Sequence, residues 1–84
     1  MKYRIQIEAK AKKEIFELPE EIVKKVWLAL DSLQENPRPI GSKKLSGQEG
    51  YRIRRGDYRI LYTIDNTSKL IRVYRVGHRR EIYR

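Results

Sequence analysis

Gly50-Tyr51-Arg52-Ile53-Arg54-Arg55-Gly56-Asp57-Tyr58-Arg59-Ile60-Leu61-Tyr62-Thr63-Ile64 is the stretch that decides how this chain reads. Two runs rich in aromatic and β-branched residues flank Gly56-Asp57, the composition of a β-hairpin closed by a tight turn. Side chains alternate between faces along a strand. Tyr51 and Ile53 therefore share one face, and Arg52 and Arg54 share the other. On the second strand Tyr58, Ile60, Tyr62 and Ile64 line one face, with Arg59, Leu61 and Thr63 opposite. Packing the apolar sets on a core brings Arg52, Arg54 and Arg59 out together on the open face. Three neighbouring guanidinium groups repel one another, so the cluster suits an anionic ligand better than it suits stability.

Working outward, Tyr3, Ile5 and Ile7 alternate with Lys2, Arg4, Gln6 and Glu8, the period-two pattern of a half-buried strand. Residues 10–18 switch to helical spacing, with Ala11, Ile15 and Leu18 on one stripe and Phe16 beside it. Pro19 ends that run and opens a second helix, whose first turn carries Glu20 and Glu21, favourable at a helix N-terminus. Ile22, Val23, Val26, Trp27, Leu30 and Leu33 recur at three- and four-residue intervals, which predicts Trp27 as a core residue. Asn36-Pro37 stops the helix. Residues 36–50 form a connector in which Leu45 is the expected peg to the core. Lys43 and Lys44 fit phosphate contacts or a solvated loop about equally well.

Beyond the hairpin, Asp65-Asn66-Thr67-Ser68 is a second turn, followed by a strand from Leu70 to Val76. Its faces do not separate: Ile71 and Val73 compete with Leu70, Tyr74 and Val76 for the core. That conflict predicts a central strand or a bulge near Arg75–Gly77. The tail from His78 to Arg84 offers little to bury. The expected fold is α+β, a single domain over residues 1–84. It is a small antiparallel sheet in the order β-α-α-β-β-β with two helices packed on one face.

The formal net charge of +9 is unevenly placed. Residues 1–49 carry ten Lys and Arg against eight Asp and Glu, whereas residues 50–84 carry ten against three. Nine of those last ten bases are Arg, the residue suited to planar, bidentate recognition of phosphate. Nucleic acid, or an acidic protein that mimics it, is the implied partner. With no Cys and one His, disulfides and zinc sets are excluded and no metal or other cofactor is expected. The N-terminus lacks the apolar core of a signal peptide and no run reaches membrane-spanning length, so a cytoplasmic location without membrane contact is expected.

Leu45-Ser46-Gly47, Tyr51-Arg52-Ile53-Arg54, Gly56-Asp57-Tyr58-Arg59-Ile60-Leu61-Tyr62 and Val76-Gly77-His78-Arg79-Arg80-Glu81-Ile82-Tyr83 together resemble the RelE branch of the RelE/ParE toxin superfamily. The order and spacing of these segments, and the strand–helix–helix opening, carry the resemblance over nearly the whole chain. It implies the toxin of a type II toxin–antitoxin system, a ribosome-dependent endoribonuclease that cleaves mRNA in the ribosomal A site. An acidic, RelB-like antitoxin, the ribosome and A-site mRNA are the implied partners. Metal-independent cleavage uses the ribose 2′-OH as nucleophile on the adjacent phosphorus. The enzyme must align that hydroxyl, help deprotonate it, stabilise the phosphorane oxygens and protonate the leaving oxygen.

By the resemblance, Arg59 holds the scissile phosphate, Arg79 sits by the leaving group, and Tyr83 stacks on a base or orients the hydroxyl. Arg52 and Arg54 complete the catalytic set, at positions where better-known members often carry lysine. Arg55, Lys43, Lys44, His78 and Arg80 are the further candidate RNA contacts. Lysine can lose a proton among neighbouring cations and arginine does not, so neither Arg52 nor Arg54 serves as general base. Tyr83 or His78 takes that part, or electrostatic stabilisation carries the rate with help from the ribosome. Two other functions fit the same features: a ParE-like inhibitor of DNA gyrase, and a non-cleaving RNA- or ribosome-binding module.

Overall fold

The hairpin dictates the rest of the sheet. In the computed structural model, which describes residues 2–47 and 49–82, strand β3 (Tyr51–Arg55) turns back through Gly56-Asp57 into β4 (Tyr58–Asp65). Gly56 takes a positive φ of 61° and Asp57 does not, the pattern of a II′ turn, whose twist matches that of the flanking strands. β1 (Arg4–Ile7), α1 (Ala9–Phe16), α2 (Glu20–Glu35) and a two-residue β2 (Lys43–Lys44) precede the hairpin, and β5 (Leu70–His78) follows it. The five strands lie in the order β1-β5-β4-β3-β2.

Strands β2 to β5 are antiparallel, and β1 joins β5 in parallel with Ile5 beside Ile71 and Ile7 beside Val73. The fold is therefore α+β with a mixed sheet. Both helices pack on the face that carries Ile53, Ile60, Tyr62, Ile71, Val73 and Val76, contributing Ala11, Ile15, Val26, Ala29, Leu30 and Leu33. Trp27 departs from expectation, because it is 45% exposed. It lies one residue beyond Val26, about 100° around the helix, at the margin of the stripe that Ala29 completes.

The conflict along β5 resolves through a bulge. Leu61 pairs with Arg75 while Tyr62 pairs with Val73, so Tyr74 is an extra residue in the ladder. An inserted residue shifts every later side chain to the opposite face. That shift is what lets Ile71, Val73 and Val76 all reach the core. β5 is also a central strand, between β1 and β4.

Beyond the end of β1, α1 covers the edge of β5 with one carboxylate. Glu14 accepts from Val76 N at 3.0 Å and from Arg75 Nε at 3.0 Å. The tail also corrects its expectation. The Glu81 and Ile82 amides both donate to the His78 carbonyl, at 2.9 and 3.0 Å, and close one helical turn. That turn buries Ile82, leaving 3% exposed, against Gly77. In the connector before β3, the Leu45 amide donates to the Gly50 carbonyl at 2.9 Å. Leu45 is half-buried beside Gly50, as a peg requires.

Candidate nucleic-acid interface

The register of β3 on β4 sets Arg54 directly opposite Arg59 and Arg52 opposite Leu61. Directly opposed side chains share a face, with Cβ atoms about 4.5–5.5 Å apart, so Arg52, Arg54 and Arg59 do lie together on the face away from the helices. Arg59 is more enclosed than the alternation suggested, at 7% exposure. Its neighbour across β5 is Gly77, over which Ile82 is laid. Arg59 Nη1 donates to the carbonyls of Gly56 and Tyr58, each at 3.3 Å, which turns the guanidinium toward the hairpin turn.

Arg79 reaches the same turn from the far side. Its amide donates to the Asp57 carbonyl at 2.8 Å, and its Nε stands 3.8 Å from Asp57 Oδ1 with both side chains largely exposed. Such an exposed pair contributes little to stability and leaves the guanidinium free to exchange one anion for another. Arg55 Nη1 donates to the Arg54 carbonyl at 2.6 Å. Lys43 stands opposite Arg52 and borders a cleft of about 440 Å³ with Arg52, Arg54 and Arg55.

Three candidates fall elsewhere. Lys44 is exposed opposite Tyr51, on the other face of the sheet from Lys43. His78 pairs with Tyr58 on the helix side, the rings 5.5 Å apart and edge-on. Its Nδ1 accepts from the Arg80 amide at 3.1 Å, so that lone pair is engaged and the ring hydrogen belongs on Nε2. Arg80 is exposed on the tail turn and meets His78 through its backbone. Tyr83 lies outside the described residues.

Arg38 was not singled out in the sequence, because it stands alone between two prolines. Its Nε donates to Tyr51 Oη at 3.1 Å, and its guanidinium carbon lies 5.2 Å from the ring centroid. That donation holds the Tyr51 phenol below its ordinary range. Tyr51 stacks on Tyr62, whose hydroxyl donates to the Pro37 carbonyl at 2.7 Å. Burial pushes the Tyr62 phenol up to about 12. These two tyrosines fasten the connector that leads into Lys43. The signal for them was present as an aromatic pair on the core face of the hairpin, though not their reach to Pro37 and Arg38.

Two features of this surface, the β3–β4 arginine ladder and the tail turn docked on the hairpin, occur in an α+β frame that other proteins share. Residues 5–83 match the family described as the ParE toxin of type II toxin–antitoxin systems. The chain belongs to that family. Within it, the chain is 33% identical to toxin RelG of Mycobacterium tuberculosis, over 100% of this chain and 99% of that protein. It is 32% identical to toxin RelE of the same organism, over 98% of this chain and 87% of that protein. The toxin–antitoxin complex RelBE2 of M. tuberculosis matches with a TM-score of 0.82 at 28% identity, over 93% of this chain and 99% of that one. The intact RelBE complex of E. coli matches at 0.80 with 25% identity, over 90% and 95% of the two chains. The chain is thus a RelE-like toxin of the ParE family, and no helix among the described residues is long and apolar enough to cross a membrane.

Proposed function

We propose that this RelE-like toxin is a ribosome-dependent endoribonuclease that cuts mRNA in the A site. A ribose 2′-OH attacks the neighbouring phosphorus as the P–O5′ bond breaks, giving a 2′,3′-cyclic phosphate and a protonated 5′-OH. The observation that carries this reading is the direct opposition of Arg54 and Arg59 across β3–β4, with Arg79 anchored on the adjoining turn. Guanidinium groups converging from two strands and a tail suit the charge that develops on phosphorane oxygens. Arg59, fixed by two backbone carbonyls, is the group for the scissile phosphate. Arg79, on an exposed and exchangeable ion pair, suits the leaving side. Arg52 and Arg54 supply field and binding.

The proton from the 2′-OH needs another acceptor. His78 is a poor one here, since it faces the helices and its Nδ1 is already engaged by the Arg80 amide. Tyr83 is the group we assign to orienting or deprotonating the hydroxyl, with the ribosome completing the site. The reaction as written uses no metal or cofactor. An acidic antitoxin is the proposed partner, supported by the RelB–RelE complexes among the structural relatives. It would neutralise the same arginines.

Mapping of 5′ ends on mRNA held by a programmed ribosome tests the proposal. Arg59→Ala is expected to lower single-turnover cleavage by about 10²–10³-fold, the range for loss of one transition-state donor. Arg59→Lys restores charge without the planar fork, and therefore only part of the rate. Unchanged cleavage in Arg59→Ala, in protein shown to be folded, would remove Arg59 from the site. The family's description as ParE toxins favours a second reading, inhibition of DNA gyrase. Expression would then provoke a DNA-damage response with translation intact.

A further inference from the structure

The cleft beside β3 has features that the scissile-phosphate site does not need. Its walls are the Ile40–Lys43 loop and the edge of β3 at Arg52, Arg54 and Arg55. β2 pairs with β3 only through Lys43–Arg52 and Lys44–Tyr51, so β3 continues past it and the cleft opens along that stretch of strand. Four cations line it, and no carboxylate does among the described residues. Elsewhere the chain pairs several of its bases, as in Arg72 with Glu8 and Arg75 with Glu14.

One residue of the cleft is conspicuous. Arg52, which borders the cleft, has a buried Nε with no hydrogen-bond partner among the described residues, so part of its donor capacity is unused within the protein. The wall is also held in place. Tyr62 ties Pro37, Arg38 ties Tyr51, and the Ser42 amide donates to the Pro39 carbonyl at 2.9 Å. At about 440 Å³ the space is larger than a phosphate group and falls within the range of small-ligand sites. Ile40 at its rim is fully exposed, an apolar surface for a ribose or base.

We propose that this cleft is a second phosphate subsite, taking the phosphodiester next to the scissile one together with its nucleoside. Arg54 links the two, since it borders the cleft and also stands opposite Arg59. The inference rests on the ribonuclease reading and adds to it. One phosphate is gripped for reaction at Arg59 and Arg79, and its neighbour is gripped for register at Lys43, Arg52 and Arg55. A strand held at two consecutive phosphates cannot slide, which fixes which 2′-OH is presented.

The test uses 2′-deoxy oligonucleotides, which lack the attacking hydroxyl and cannot be cut. Binding to the full-length toxin is measured by calorimetry at low salt for a dinucleotide with one phosphodiester and a trinucleotide with two. The expected result is about tenfold tighter binding of the trinucleotide, with a salt slope steeper by about 0.7, the increment for one further phosphate on a single strand. In Lys43→Ala/Arg55→Ala the trinucleotide-to-dinucleotide ratio falls to within twofold of one. Lys43→Gln/Arg55→Gln is the substitute should the alanine pair lower the thermal midpoint.

A wild-type ratio near one, or a tenfold ratio kept by the folded double variant, overturns the subsite. A dinucleotide that binds no better than its uncharged methylphosphonate analogue undermines the ribonuclease reading itself, which separates the two failures. An acidic hexapeptide whose binding is abolished by the double variant, while the nucleotide ratio is untouched, assigns the cleft to a protein partner and overturns the proposal.

Discussion

Gly50→Ala should cost this protein far more than its size implies, and the reason can be worked from one contact. Gly50 adopts φ +122°, and a Cβ built there would lie 2.9 Å from the Tyr62 carbonyl oxygen. Two penalties add. The backbone conformation, essentially reserved for glycine, costs about 1–3 kcal/mol for another residue. The overlap with a carbonyl of the central hairpin, which cannot rotate away, adds about 1–3 kcal/mol as overpacking does. A loss of about 2–6 kcal/mol is expected, against a total of roughly 4–12 kcal/mol for a domain of this length. Gly47→Ala is the control: φ is +73° but nothing lies within 4 Å of the added Cβ, so only backbone strain of about 1–2 kcal/mol remains. Equilibrium urea unfolding followed by far-ultraviolet circular dichroism measures both. A Gly50→Ala protein within about 1 kcal/mol of Gly47→Ala would refute the steric half of the reasoning. The result bears on the site as well, because Gly50 leads into the strand that carries Arg52 and Arg54.

Other predictions follow from single groups. Glu14→Ala leaves the Val76 amide and Arg75 without their shared acceptor and should lower stability by about 2–4 kcal/mol. Glu14→Gln keeps an acceptor for the amide and should recover roughly half of that in the same urea assay. Tyr62→Phe should lose about 1–3 kcal/mol by orphaning the Pro37 carbonyl. Burial raises the folded Tyr62 phenol to about 12, so its contribution is full below the ordinary phenol range and is lost as pH climbs through the folded value. Phenolate absorbance should accordingly lose its most alkaline step in Tyr62→Phe. The Asp65 carboxylate is held below its ordinary range chiefly by the Ser68 amide, with Thr67 helping. Its stabilising effect is therefore present above the ordinary carboxylate range and fades as pH falls below it. Asp65→Asn should flatten that acid limb of a stability–pH curve, and an unchanged limb would show that the turn does not set it.

The parts of the fold that follow from local periodicity were legible, and those that depend on a distant partner were not. Alternation in Tyr51–Arg54 and Tyr58–Ile64 placed three arginines on one face, which the ladder pairing of Arg54 with Arg59 bears out. The helical stripes located α1 and α2 to within a residue or two. Pairing direction leaves no mark on alternation, so the parallel entry of β1 beside β5 was not readable. Lys43-Lys44 is too short for any pattern and becomes a strand only because β3 is there to receive it. Trp27 showed the limit of hydrophobicity as a guide, since a large ring at the margin of a stripe stays at the surface. The enclosure of Arg59 and the turning of His78 to the helix side both depend on the tail and on the bulge. Neither can be seen from the hairpin alone.

The bulge matters more to the site than its one residue suggests. Carried on without it, the register that pairs Tyr62 with Val73 would set Leu61 against Tyr74, Ile60 against Arg75 and Arg59 against Val76. Arg75 would then point into the apolar core, and Val76 would crowd Arg59 on the outer face. With Tyr74 inserted, Val76 pairs with Ile60 in the core and Gly77 pairs with Arg59. The position facing Arg59 is thus filled by the smallest residue, and Ile82 of the tail turn settles over it, about 4 Å from where a Cβ would be. Arg75, kept out of the core, is available to Glu14. A single local insertion reconciles two demands on β5 that strict alternation cannot meet: an apolar inner face from Ile71 to Val76, and an outer face with room at Gly77 for the Arg59 side chain.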